Sequence, residues 1–167
     1  MNIMKTVERH QYNGNEIVKT RRLVFEPYRC SEYHICLVMG LIQKNLTPDL
    51  LKRKKLKFRD DTNKWYGHCY HASQALYYLM DTDVLVPMSA EDYRGEKHWW
   101  LQYGDNIYDC TAEQYYTLGK MPPYHAGRKS KWYGWKQRPQ QITLDLMVRV
   151  LEDKVIEDSL QTVSKLA

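Results

Sequence analysis

The sequence predicts an α+β protein, in which helical segments come first and a small antiparallel sheet follows. Apolar residues recur at the helical period after Ser31 and again from Cys69 onward. Two aromatic-rich runs, residues 98–103 and 107–111, flank a Gly-Asp-Asn cluster at 104–106, which is typical of a β-hairpin turn. Helices followed by paired strands define this fold class.

The chain is predicted to form one domain over residues 1–167. Its 167 residues are enough to bury a core, and 43% of them are hydrophobic. The sequence contains neither an internal repeat nor a domain linker. Three parts follow one another: N-terminal strands and helices in 1–64, a central core with an aromatic-basic loop in 65–138, and a C-terminal helix and tail in 139–167.

Local signals predict the first elements of the chain. Asn13 and Gly14 form a turn signal between two short strand-like pieces, and residues 23–25 are the better strand candidate of the two. Ser31 is the predicted N-cap of a helix that ends at about Lys44, since its apolar positions follow the helical period.

Much of the net charge of +5 lies in two basic runs, at 52–57 and 128–138. Thr47 as N-cap and Pro48 as first helical residue predict a short helix before the first run. The last turn of that helix then carries Lys52 to Lys55, where cations favour the negative end of the helix dipole. The first run is therefore interpreted as a solvated helix end, although such runs also attract phosphates.

Further elements follow the polar loop that precedes Cys69. A helix begins at Cys69, and a short strand is predicted at 84–86, ended by Pro87. Residues 112–138 are rich in Tyr, Trp, Gly and Pro and predict a long ordered loop. Pro139 opens a C-terminal helix that fades into a polar tail.

Composition limits the setting and the partners. Residues 1–12 lack an apolar signal-peptide core, and no apolar run reaches the length of a membrane span. The 4 cysteines are irregularly spaced, which is typical of reduced thiols. We therefore expect a cytoplasmic protein with no membrane partner. The 14 Tyr and 5 Trp against 2 Phe indicate a binding cleft, where rings are apolar on one side and hydrogen-bonded on the other.

Cys69 is the candidate nucleophile. Free N–H groups and the dipole at a helix N-terminus lower the pKa of a thiol, and Gly67 allows a sharp turn into that helix. A base is expected from a rigid neighbouring strand, and His98 opens the hairpin. Taken without His98, a cysteine on the inner face of a helix is typical of a small buried hydrophobe.

The order of these residues resembles the papain-like and transglutaminase-like cysteine enzymes. Gly67-His68-Cys69 heads a helix, His98-Trp99 lies on a strand, and Asp109-Cys110-Thr111 lies on the next strand. The resemblance implies a papain-like core with Cys69 as nucleophile, His98 as general base and Asp109 as the residue that orients His98. It implies proteases, amidases, acyltransferases or transglutaminases as the activity class.

A wider set of blocks is similar to a family of small proteins carried by phages and bacteria, largely of unassigned function. That family names no substrate, but it implies a phage-encoded protein in the host bacterial cytoplasm. The blocks are LTPDLL at 46–51, GHCYHAS at 67–73, HWW at 98–100, DCTAEQY at 109–115, PPY at 122–124 and GR at 127–128.

The place of Asp109 depends on the hairpin turn, because side chains alternate faces along a strand. A two-residue turn at 103–104 puts Asp109 directly opposite His98, whereas a turn at 105–106 offsets the two residues by four positions. A three-residue loop at 104–106 points Asp109 to the other face, unless a bulge intervenes. Glu113 and Gln114 are the alternative orienting residues.

An oxyanion hole and pocket are expected around Cys69. Papain-like enzymes place a glutamine six residues before the cysteine, where this chain has the shorter Asn63. Backbone N–H groups of residues 69 and 70 are further donors, and two histidines are expected at the mouth of the cleft. The predicted oxyanion and pocket residues are Asn63, His68, Tyr70, His71, Trp99 and Trp100.

The segment 124–138 mixes cations with aromatic rings. Arginine and lysine clamp phosphate, and rings stack on a base or sugar; the alternative is a loop that caps the sheet with its rings. The predicted ligand-binding residues are Tyr124, Arg128, Lys129, Lys131, Trp132, Tyr133 and Trp135.

Two functions follow. The first is a cysteine hydrolase or acyltransferase that acts on an amide or thioester of a small-molecule or peptide substrate. The second is a non-catalytic phage protein that binds a nucleotide-derived, phosphorylated molecule, such as a host immune signal. No cofactor is expected, and no metal, because His68, Cys69 and His71, like Cys30 and His34, lack paired ligand spacing. Specific nucleic-acid binding is disfavoured, since no recognition-helix or RNP-like motif is present.

Overall fold

The protein has a mixed helix and sheet fold of the α+β class, as the sequence predicts. The structure, a computed structural model, describes residues 10–13, 16–19, 32–51, 63–80, 84–134 and 138–166. Its strands are β1 His10–Asn13, β2 Glu16–Lys19, β3 Val86–Glu91, β4 Lys97–Tyr103, β5 Asn106–Tyr108 and β6 Arg128–Lys129. Its helices are α1 Glu32–Lys44, α2 Cys69–Met80, α3 Glu113–Tyr116 and α4 Gln141–Leu166, with 3-10 turns at Pro48–Leu50 and Tyr124–Ala126.

The main sheet is antiparallel and has four strands in the order β5-β4-β3-β6. The predicted hairpin is its β4-β5 pair, and Tyr103 pairs with Asn106 across a two-residue turn at Gly104 and Asp105. Gly104 has a φ of +56°, a conformation that glycine adopts without steric cost. The strands β1 and β2 form a separate antiparallel pair.

The hydrophobic core lies between one face of the sheet and three helices. On β4, Trp99 and Leu101 point into this core, while His98 and Trp100 point to the other face, since side chains alternate along a strand. The helix α2 packs against α1, α4 and β4. The core is built mainly from aliphatic side chains, including Ile35, Val38, Ile42, Leu76, Leu79, Leu85, Leu146 and Val150.

The expectation that Pro87 ends a strand is wrong, because β3 continues to Glu91 with Pro87 paired opposite Leu101. On its other side β3 pairs with β6 only at Met88 and Ser89. Pro87 therefore has no strand partner on that side that would need an N–H donor at this position. A proline is tolerated in a sheet at such an edge position. The carbonyl of Pro87 still accepts a hydrogen bond from the Ser130 N–H at 2.9 Å.

Residues 112–138 are more regular than the predicted loop. They contain α3, a 3-10 turn and β6, the fourth strand of the sheet. A two-residue strand is too short to give a periodic sequence signal. The C-terminal helix also extends further than predicted, because α4 continues to Leu166.

Two predictions in the first half differ in detail or lie outside the described residues. The expected helix after Thr47 is a three-residue 3-10 turn, and the Thr47 side chain forms no cap hydrogen bond. The strand at 23–25, the Ser31 cap and the basic run at 52–57 lie outside the residues that the structure describes. Within the described residues, no helix combines the length and the apolar character that crossing a lipid bilayer requires.

Gly127 fits closely against Trp100, the largest fully buried side chain of β4. A Cβ at position 127 would lie 2.5 Å from Cζ2 and 3.0 Å from Cη2 of the Trp100 indole. The φ of Gly127 is −62°, so the requirement for glycine is steric and not conformational. This contact fixes the segment before β6 against the sheet.

We predict that Gly127→Ala lowers the free energy of unfolding by about 1–3 kcal/mol, the usual cost of overpacking a buried contact. Urea unfolding measures the change. The matched control is Gly40→Ala, at an exposed position of α1 where an added Cβ meets nothing within 4 Å. The control should gain about 0.5–1 kcal/mol from helix propensity. Equal effects of the two substitutions would contradict the steric argument.

Candidate active site

The helix α2 begins at Cys69, as predicted, and its start is set by the turn that precedes it. Gly67 closes this turn with a φ of +85°, which residues with a Cβ rarely adopt. The Ala72 N–H donates a hydrogen bond at 2.9 Å to the carbonyl of His68, the residue that precedes the helix. The N–H groups at the start of α2 have no acceptor within the helix, so Cys69 lies at its positive end.

Two side chains of α2 hold the helix against β4. The Cys69 Sγ lies 3.8 Å from the carbonyl oxygen of Lys97. One helical turn later, the Ser73 hydroxyl donates to the carbonyl of Trp99 at 3.1 Å. His98 lies between these two carbonyls on β4, so the contacts fix the thiol beside the residue that carries the imidazole.

His98 and Asp109 form a buried pair. The Nε2–H of His98 donates to Oδ2 of Asp109 at 2.6 Å, and the two side chains are only 1% and 2% exposed. The strand register explains the contact. Leu101 pairs with Tyr108, so one further step along the strands puts Asp109 opposite Trp100. Trp100 is two positions from His98 on β4, so Asp109 and His98 lie on the same face of the sheet. Such diagonal neighbours are separated by about 7–8 Å, within reach of long side chains.

This turn at 104–105 is none of the three alternatives that the sequence left open, and it lies between two of them. The alternative orienting residues bond elsewhere. Glu113 accepts a hydrogen bond from the Trp65 indole at 3.2 Å, and the Gln114 amide donates to the Thr111 carbonyl at 3.1 Å.

Asp109 is itself held by two further donors. Its Oδ2 accepts a hydrogen bond from the Tyr124 hydroxyl at 2.8 Å, and its Oδ1 accepts one from the Thr111 backbone N–H at 3.0 Å. Burial and the neighbouring carboxylate raise the pKa of Tyr124 far above its ordinary value, so that its hydroxyl stays protonated and donates. The carboxylate is therefore oriented from both sides and keeps one geometry towards His98.

The charge of Asp109 changes the titration of His98. Burial lowers the pKa of the imidazole, but the hydrogen bond and charge of Asp109, together with the interaction with Cys69, raise it to about 10. His98 is therefore an imidazolium near neutral pH. Among the described residues, its buried Nδ1 has no hydrogen bond of standard geometry, although the ring interacts with Cys69.

Cys69 and His98 line one cavity of about 350 Å³. Its walls come from α2, from the start of β4, from the turn between β3 and β4, and from α3. Besides the two residues, the lining includes Leu50, Tyr66, Gly67, Tyr70, His71, Asp92, Arg94, Glu96, Lys97, Trp99, Gln114, Tyr115, Tyr133 and Gln140. The thiol thus faces a space that can hold a small substrate.

Part of this wall was not identified from the sequence. Asp92, Arg94 and Glu96 lie on the turn between β3 and β4, where Arg94 forms an ion pair with Asp92 at 2.7 Å. The Asp-Tyr-Arg-Gly stretch at 92–95 is a turn signal, and it would have indicated a hairpin that leads into His98. Tyr115, whose ring lies 4.8 Å from that of His98, carries no such signal.

The predicted pocket residues separate into two groups. Tyr70, His71 and Trp99 line the cavity, whereas His68 and Trp100 are buried away from it. The expectation of His68 at the mouth of the cleft is therefore wrong, because its side chain precedes the first turn of α2 and turns inward. Trp100 lies on the other face of β4, under Tyr124 and Gly127.

Asn63, the predicted oxyanion donor, does not line this cavity. Its carbonyl accepts a hydrogen bond from the Tyr66 N–H at 3.4 Å in the turn before α2. The backbone N–H groups of Cys69 and Tyr70 lie at the helix start, where they have no helical acceptor. These groups are the better candidates for an oxyanion hole.

The predicted ligand-binding segment is divided among different places. Tyr133 lines the Cys69 cavity and stacks on Tyr70 with 4.7 Å between ring centroids. Arg128 and Lys129 line a second cavity of about 490 Å³, next to Ser89 and Ser130.

The other residues of the segment do not join one pocket. Trp132 is buried and stacks on Trp99, so the prediction that it stacks on a ligand is wrong. Tyr124 contacts Asp109, Lys131 is exposed, and Trp135 lies outside the described residues.

Within the described part of the chain, no group of three or more His, Cys, Asp or Glu side chains is arranged to hold a metal ion. Comparison with known proteins finds no family, no curated protein and no solved structure that matches the chain. The case for a function therefore depends on the geometry of the site.

We predict that the His98–Asp109 pair gives the stability of the protein a specific pH dependence. The folded pKa of His98 is about 10 against an ordinary value of 6.5, so the contribution is complete below about pH 6.5 and is lost as pH rises through about 10. Urea unfolding of wild type and Asp109→Asn between those limits measures it. The difference in unfolding free energy should narrow as pH rises, and a constant difference would contradict the charge pair.

Proposed function

We propose that the protein is a thiol-dependent hydrolase or acyltransferase that acts on an amide or thioester. The observation that carries this proposal is a half-buried thiol at a helix N-terminus, in one cavity with an imidazole that a buried carboxylate orients. We also propose that the chain is a phage-encoded relative of the papain-like and transglutaminase-like enzymes, on the sequence resemblance and on this Cys-His-Asp arrangement.

The first half of the reaction forms an acyl-enzyme. The Cys69 thiolate attacks the substrate carbonyl carbon, a C–S bond forms, and the carbonyl electron pair moves to oxygen. The tetrahedral intermediate collapses and expels the amine or thiol of the substrate. The His98 imidazolium protonates this leaving group and becomes a neutral imidazole, which Asp109 keeps in the correct tautomer.

The second half releases the acyl group. The neutral His98 accepts a proton from water or from an acceptor amine, which attacks the thioester carbonyl. The C–S bond then breaks, and the thiolate and imidazolium are restored. Asp109 keeps its orientation towards His98 throughout, because the Tyr124 hydroxyl and the Thr111 N–H both donate to the carboxylate.

Charge that develops on the substrate oxygen needs donors that are already in place. The N–H groups of Cys69 and Tyr70 meet this requirement at the start of α2. No side chain has to move to supply them, and the helix dipole adds a favourable field.

The alternative, binding of a phosphorylated small molecule, has one supporting observation. Arg128, Lys129 and Lys97 share a cavity with two serine hydroxyls, Ser89 and Ser130, which hydrogen bond to each other at 2.6 Å. The rings expected to stack on such a ligand lie elsewhere or are buried in the core. The geometry therefore favours thiol chemistry.

We predict that iodoacetamide alkylates Cys69 about tenfold faster than Cys36 near neutral pH, because a thiolate is the reacting species. Cys36 is the exposed internal control, and Cys110 reports on folding, since burial protects it and raises its pKa. Peptide mass spectrometry gives the rate at each site. His98→Gln should remove the difference while Cys110 stays protected. Slower labelling of Cys69 than of Cys36 in wild type would contradict activation.

We predict further that a small acetyl thioester transfers one acetyl group to Cys69. Intact-mass analysis should detect the adduct in wild type and in Cys36→Ala, but not in Cys69→Ala. Asp109→Asn should accumulate it more slowly, because His98 loses its orientation. Acetylation spread evenly over Cys36 and Cys69 would be incompatible with a dedicated nucleophile.

A further inference from the structure

Arg94 is a fixed cation in the wall of the Cys69 cavity. Its Nε and Nη2 donate to Oδ2 of Asp92 at 3.1 and 2.7 Å, and Nη2 also lies 3.3 Å from Oε1 of Gln114. Asp92 is fixed in turn, because it accepts the Tyr115 hydroxyl at 2.8 Å. The arginine side chain is 24% exposed, so most of it is packed, and the residue lines the cavity.

Aromatic rings fix the plane of the guanidinium. The Cζ of Arg94 lies 4.6 Å from the ring centre of Tyr66, 5.2 Å from that of Tyr93 and 5.7 Å from that of Tyr115. A guanidinium held by rings and a carboxylate has lost its rotamer freedom before a ligand arrives. Binding to it therefore costs little further conformational entropy.

The hydrogen bonds of Arg94 leave one nitrogen unused. Among the described residues, its bonds and its ion pair all pass through Nε and Nη2. The two N–H groups of Nη1 therefore remain available on a group that lines the cavity. An arginine that served only to neutralise Asp92 would not need to end in this space.

Arg94 is also close to the reacting groups. The ring of Tyr115 lies 4.8 Å from the ring of His98 and 5.7 Å from the Cζ of Arg94. The guanidinium and the imidazole therefore neighbour the same tyrosine ring. Cys69 and Arg94 line the same cavity, so one small substrate can contact both of them.

We propose that Arg94 recognises an anionic group of the substrate, a carboxylate or a phosphate, a few bonds from the carbonyl that Cys69 attacks. This inference rests on the proposed function and adds a substrate class to it: acyl compounds that carry a negative charge near the scissile bond. Charge-assisted hydrogen bonds from Nη1 provide the selectivity.

Besides Asp92 and His98, the cavity wall holds two charged residues that bear on this assignment. Glu96 accepts the Tyr66 hydroxyl at 2.8 Å and opposes an anion. Lys97 is a second cation, and its Nζ lies 5.8 Å from the ring of Trp99 and 5.9 Å from that of Tyr133. Lys97 is exposed and flexible in type, whereas Arg94 is already oriented, so Arg94 is the residue we assign.

The experiment compares two alkylating probes of the same shape on the full chain. N-iodoacetylglycine carries a carboxylate, and N-iodoacetylglycinamide is its neutral counterpart; in both, the Cys69 sulfur displaces iodide and forms a C–S bond. We expect wild type to react about tenfold faster with the acid, the factor that one net charge-assisted hydrogen bond supplies. N-iodoacetyl-aminomethylphosphonate distinguishes phosphate from carboxylate, because the preferred anion reacts faster.

The variants identify the responsible cation. Arg94→Lys keeps a charge for Asp92 but lacks the forked donors, and we expect its acid-to-amide ratio to fall to about one. Lys97→Gln is the matched control and should keep the preference. Each ratio is taken within one variant, so a general change in thiol reactivity cancels, and protection of Cys110 verifies folding.

The two proposals fail in different ways. A ratio near one in wild type, or a preference lost in Lys97→Gln and kept in Arg94→Lys, would overturn the role of Arg94. Labelling of Cys69 by the neutral amide that is slower than labelling of Cys36 would overturn the thiol function instead.

Discussion

The buried pair of His98 and Asp109 is the constraint on which the rest of the site depends. An imidazolium and a carboxylate that are almost fully removed from water are stable only when each finds good partners. The 2.6 Å bond between them provides one partner, and Tyr124 and Thr111 provide the others for Asp109. The chain after β5 must therefore turn back at Thr111 and return over the sheet at Tyr124. The segment before β6 is a structural part of the site, and its fit against Trp100 serves this purpose.

The strand β4 belongs both to the hydrophobic core and to the candidate site, because its two faces contact different parts of the protein. Trp99 and Leu101 bury their side chains against the helices, while His98 and Trp100 face Asp109 and Tyr124. Packing of α2 on the first face determines how far Cys69 stands from His98. Any change that moves α2 along β4 moves the thiol relative to the imidazole, since Ser73 and Cys69 both contact carbonyls of this strand.

The sequence was sufficient for the α+β class, for the start of α2 at Cys69 and for the β4-β5 hairpin, since each depends on local signals. It left the register open, and the turn observed at 104–105 is displaced by one residue from the two-residue turns considered at 103–104 and 105–106. It also missed Arg94 and misassigned Trp132. Both depend on how segments distant in sequence pack around α2. The turn that carries Arg94 reaches the cavity, and the ring of Trp132 is buried against Trp99 in the core. The catalytic roles of Cys69, His98 and Asp109 remain predictions that this geometry permits.

The environment of the His98 Nδ1 is the strongest argument that this histidine does more than support the fold. A purely structural histidine in a buried position normally satisfies both ring nitrogens, because a buried polar atom without a partner costs about 1–3 kcal/mol. Here Nε2 is bonded to Asp109, while Nδ1 has no hydrogen bond of standard geometry among the described residues. The ring nevertheless interacts with Cys69 strongly enough to raise its pKa. Proteins retain such a cost at sites where a proton is transferred. The Nε2 of His98 is bonded to Asp109 and cannot pass its proton to a leaving group, so Nδ1 is the nitrogen that is free to do so.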